Sequence, residues 1–67
     1  MEEIKRELYI KLKKFNNDKD FVGGVISITK NDKERQAIID FIDKGEDVTV
    51  EAITLLALHL KKNRNNK

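Results

Sequence analysis

One histidine, His59, and no cysteine are the whole supply of imidazole and thiol in this chain. Nucleophilic and acid–base catalysis need such groups within reach of one another, so the cysteine–histidine pairing is excluded outright. Ser27 follows Gly23-Gly24 without the G-x-S-x-G spacing or the strand–turn–helix context of a hydrolase elbow. His59 has no marked carboxylate partner along the sequence. The expectation is a noncatalytic protein, with no catalytic residue assigned.

Asp18-Lys19-Asp20-Phe21-Val22-Gly23 has the outline of a calcium loop, which wants oxygen ligands at positions 1, 3 and 5, glycine at 6 and glutamate at 12. Position 5 is Val22 and position 12 is Thr29, so two ligands are missing and helix capping explains the aspartates better. Gly23-Gly24 is followed by no Gly-Lys-Ser/Thr and belongs to no G-x-G-x-x-G pattern, which leaves close backbone packing as its expected use. Thiolate zinc sites and disulfides fall with the absent cysteines. No metal ligand and no cofactor is assigned.

The chain is nearly balanced in charge, with a net +2 from fourteen basic and twelve acidic residues. Lys61, Lys62, Arg64 and Lys67 lie together at the end of the sequence, and residues 1–60 are net acidic. These four are the candidate anion contacts, and a nucleic-acid-associated regulator using this basic tail is the alternative function. The segment 31–51, where a helix-turn-helix would begin, is richer in acids than in bases and would repel phosphate. The outward positions of the following helix carry leucines instead of the Arg, Asn or Gln that contact base edges.

The elements that must position these residues follow from apolar spacing. Ile4, Leu8, Leu12 and Phe15 form one stripe of a helix over 2–15. Residues 21–29 are rich in β-branched side chains, and a strand there, giving an α+β fold, is the competing reading. A helix over 20–29 sorts Phe21, Val22, Val25, Ile26 and Ile28 to one side and Gly23, Gly24 and Ser27 to the other, with Asp18 or Asp20 as N-cap. Asn31 and Glu34 announce a third helix over 32–43, and Thr49 caps a fourth over 50–62. With no proline and three glycines, the expected fold is an all-α bundle of four short helices. Residues 1–62 form one domain, and 63–67 a flexible basic tail.

The longest apolar run, Phe21 to Ile28, is interrupted by Gly23, Gly24 and Ser27 and falls far short of the ~20 residues of a membrane span. The start Met1-Glu2-Glu3 lacks the basic opening of a signal peptide. With no cysteine besides, a cytoplasmic location is expected.

One set of apolar residues does not fit a single core. Val50, Ile53, Leu56, Ala57 and Leu60 make the inward stripe of the fourth helix. Leu55 and Leu58 fall on another side, beside Glu51, Lys62 and His59; on the first helix Ile10 lies opposite the core stripe and Tyr9 flanks it. These four are the candidate protein interface, expected to form one apolar surface along the outer sides of helices 1 and 4. The functional expectation is a noncatalytic protein–protein interaction module, with a protein partner or self-association of two copies as the contact. Burial of both sides of a central helix 4 is the competing account of the leucines.

Overall fold

Helices of ten to sixteen residues are marginal by themselves in water, so each must bury its apolar stripe against the others. A computed structural model describes residues 2–65 and contains α1 (Glu2–Phe15), α2 (Lys19–Ile28), α3 (Asp32–Lys44) and α4 (Val50–Asn65), with no strand among the described residues. The helices pack as a ring in which α1 meets α3 and α2, and α4 meets the other sides of α2 and α3. Leu8 and Leu12, Phe21, Val22 and Val25, Ile38 and Ile39, and Ile53 and Ala57 fill the centre. The radius of gyration is 10.9 Å, close to the ~11 Å of a compact chain this long. No described helix is long and apolar enough to cross a membrane.

The competing strand at 21–29 does not form. Alternation would have carried apolar side chains to both faces, whereas the helix sends Phe21, Val22 and Val25 together into the core. Asp18 caps α2, its side chain accepting from the Asp20 amide over 2.9 Å. The helix closes at Thr29, whose buried hydroxyl donates to the Val25 carbonyl over 3.0 Å. Asn31 caps α3 through the Glu34 amide at 2.9 Å, and Thr49 caps α4 through the Ala52 amide at 3.0 Å. Gly45 ends α3 at φ 76°, the left-handed turn that a Cβ disfavours.

Three expectations need correction. Gly23 and Gly24 do not mediate a close approach, because a Cβ built on either would meet nothing within 4 Å. Phe15, at the last residue of α1, reaches only the rim, where its ring packs on Phe21 at a centroid distance of 6.5 Å. Finally, α4 runs past 62 to Asn65, into the stretch expected to be a flexible tail. Lys67 lies outside the described residues.

Arg64 explains the longer helix. Its Nη2 donates to the Ile28 carbonyl at the end of α2 over 3.2 Å, and its Nε stands 3.4 Å from Oε2 of Glu34. Glu34 is almost wholly buried, and its Oε1 accepts from the Lys30 amide over 2.7 Å. Arg35 adds a bond to the Thr29 carbonyl at 3.1 Å. The end of α2, the start of α3 and the last turn of α4 are thereby joined through one carboxylate, whose burial is tolerable because it is paired. At the opposite edge, Lys11 on α1 meets Asp43 on α3 at 2.8 Å; Glu7, four residues earlier on α1, contributes only a weaker attraction.

Each of these arrangements has a measurable consequence. Gly23→Ala and Gly24→Ala should each raise stability by about 0.5–1 kcal/mol in chemical denaturation, since a mid-helix glycine is replaced with open space around it. A loss of stability in either would contradict the packing. Arg64→Met should cost about 1–3 kcal/mol by stranding the Glu34 carboxylate, while Lys61→Ala and Lys62→Ala should stay within about 0.5 kcal/mol of the parent. Equal, negligible effects at all three positions would return Arg64 to the solvent.

The hydrogen bond to Asp43 holds the Lys11 ammonium above its ordinary pKa of 10.5, against a smaller opposing effect of desolvation and with added attraction from Asp43 and Glu7. A pKa raised by folding means that the stabilisation is complete below the unfolded value and is lost as pH rises through the folded one. Lys11→Met should thus lie below the parent by a constant margin through neutral pH, and the margin should close above 10.5. Urea titrations of both proteins across that range provide the check; a margin that persists in strong alkali would mean the loss is packing and not charge.

Candidate interaction surface

Helix α4 carries two apolar faces because its sequence holds two sets of helical spacings. Ile53 and Ala57 are buried, with Val50, Leu56 and Leu60 packed beside them. Glu51, Leu55, Leu58 and Lys62 recur at spacings of four, three and four, which places them in one narrow stripe about 180° from the core stripe. Leu55 is 60% exposed and Leu58 44%. The alternative in which both sides of α4 are enclosed by the chain's own helices is therefore excluded for these two residues. Glu51 and Lys62 are exposed at the two ends of the stripe, and neither belongs to an ion pair among the described residues.

The α1 candidates occupy different ground. Helices α1 and α4 stand across the ring from each other, so Tyr9 and Ile10 do not join Leu55 and Leu58 in one continuous surface. The sequence gives no sign of this, because helical periodicity fixes the face of a residue on its own helix and not where that helix stands in the bundle. Tyr9 borders a shallow groove of about 630 Å³ between α1 and α2, lined also by Glu3, Lys5, Arg6 and Ile26. The Lys13 ammonium lies 5.6 Å from the centre of the Tyr9 ring, within range of a cation–π contact. Ile10 is exposed on the outer side of α1, among Glu3, Arg6, Glu7, Lys11 and Lys14.

The candidate anion contacts are also divided. Lys61 and Lys62 point into solvent on α4. Arg64 is taken up by Glu34 and the end of α2, which leaves its guanidinium little capacity for an external phosphate. Asn31 and Glu34 carry a visible capping signal in the sequence, but nothing there links Glu34 to a residue thirty positions later. His59 is exposed, with Nε2 lying 3.1 Å from Nδ2 of Asn63. Among the described residues no three His, Cys, Asp or Glu side chains gather in a group fit to hold a metal ion.

Beyond these residues the chain offers no outside guide. No protein-family model, no curated protein and no solved structure matches it.

Proposed function

We propose that this chain is a small noncatalytic protein–protein interaction module, and that its contact is the outer face of α4. The observation that supports the reading is the exposure of Leu55 and Leu58 one turn apart on a helix whose core duty is met by the opposite side. Scattered exposed apolar residues are ordinary. Two adjacent leucines framed by Glu51 and Lys62 form instead an apolar centre with a charged margin, the arrangement common to protein contacts. Full burial of an exposed leucine gains roughly 1.5–3 kcal/mol, and with Leu55 60% and Leu58 44% exposed about half of that per leucine is left for a partner.

The noncatalytic part of the reading is supported by the chemistry of the side chains. His59 is paired with an amide and not a carboxylate.

The double variant Leu55→Glu, Leu58→Glu should remain folded, with stability within about 1 kcal/mol of the parent, because surface substitutions rarely do more. A photo-crosslinking side chain at Leu58, introduced in the native host, should give discrete adducts that vanish when Leu55→Glu is added. The same probe at Lys33, exposed on α3, should give none of them. Unfolding of the double variant, or the absence of any adduct specific to Leu58, would overturn the reading.

A further inference from the structure

Resting on the reading of the outer face of α4 as a contact surface, we infer that its partner is a second copy of this chain, with the two α4 helices packed antiparallel about a two-fold axis. The stripe is complementary to itself. Leu55 and Leu58 are equidistant from a centre between Leu56 and Ala57, and so are Glu51 and Lys62. Rotation about that centre lays Leu55 of one copy against Leu58 of the other. The same rotation brings Glu51 of each copy to Lys62 of the other, twice per dimer.

Three physical features select this arrangement. Spacings of four, three and four are those of a helix seam that interdigitates with another helix. A parallel pair in the same register would set Glu51 against Glu51 and Lys62 against Lys62, whereas the antiparallel pair converts both repulsions into attractions. The two helix dipoles then also oppose each other end to end. Within one copy Glu51 and Lys62 stand about 16 Å apart along the helix, too far to neutralise each other. A two-fold contact of this kind closes on itself, so association stops at the dimer.

The contact consists of one helix face per copy, less than the ~1,200 Å² of a standard interface. Association is therefore expected to be weak, with monomer at low micromolar concentration and dimer appearing toward the millimolar range.

Sedimentation equilibrium of the full chain and its charge variants tests the proposal. Glu51→Lys alone and Lys62→Glu alone should each weaken dimerisation by about tenfold or more, since each sets like charges together twice. The exchange of both in one chain should restore it, with circular dichroism confirming that every variant is helical. A double exchange that fails to recover, or single variants that dimerise as the parent does, would overturn the proposal.

Orientation has a separate readout because the chain has no native cysteine. Mild oxidation of an equimolar mixture of Leu55→Cys and Leu58→Cys chains should yield mainly the mixed 55–58 disulfide. A predominance of 55–55 and 58–58 products would overturn the antiparallel geometry. Strict monomer at every concentration, together with Leu58 adducts to a different protein in the cross-linking experiment, would overturn the second copy while leaving the interaction module standing. Loss of those adducts as well would remove both.

Discussion

Every helix here is too short to persist alone, so the fold depends on one condition: the apolar stripe of each helix must meet those of the others around a common centre. Leu8, Leu12, Val25, Ile38, Ile39, Ile53 and Ala57 satisfy it. Their positions use up one face of each helix and fix the ring in which α1 and α4 stand apart. What remains outside that centre is surplus to folding, and this is why Leu55 and Leu58 are left exposed while Leu56, between them in sequence, packs against the core. The same condition explains the tolerance of Gly23 and Gly24, which sit away from the core side of α2, where an added Cβ would meet nothing within 4 Å.

Polar contacts then sharpen what apolar burial leaves loose. A stripe of leucines and isoleucines defines which side of a helix turns inward but tolerates sliding and rotation by small amounts. The buried Glu34 carboxylate does not, because losing either the Lys30 amide or Arg64 would strand a charge away from water. By tying the last turn of α4 to the junction of α2 and α3, it fixes α4 along its length. The outer stripe from Glu51 to Lys62 is thus held on an anchored helix, which limits the ordering cost a partner would meet. Lys11 and Asp43 join α1 to α3 at the solvent, where such a pair contributes less.

Much of this was legible in the residues themselves. Periodicity and capping residues place the four helices, including the α2 segment where β-branched residues invite a strand, because only a helix sorts Phe21, Val22 and Val25 away from the glycines. The second face of α4 is equally legible, since Leu55 and Leu58 fall outside the core spacing whatever the neighbours are. Less accessible was the end of α4. Asn63, Arg64 and Asn65 have no apolar anchor, and their helical state comes from a partner thirty residues earlier that no local pattern reveals.

The sequence alone therefore determined the elements, their inward faces and the excess of apolar side chains on α4, because each is set by residues within a turn or two of one another. Tertiary structure alone decided that Arg64 belongs to Glu34, that Lys11 reaches Asp43, and that Tyr9 and Ile10 are parted from Leu55 and Leu58 by the body of the bundle. Those outcomes depend on which helices become neighbours. That choice is made by packing the whole core at once, and a helical repeat contains no term for it.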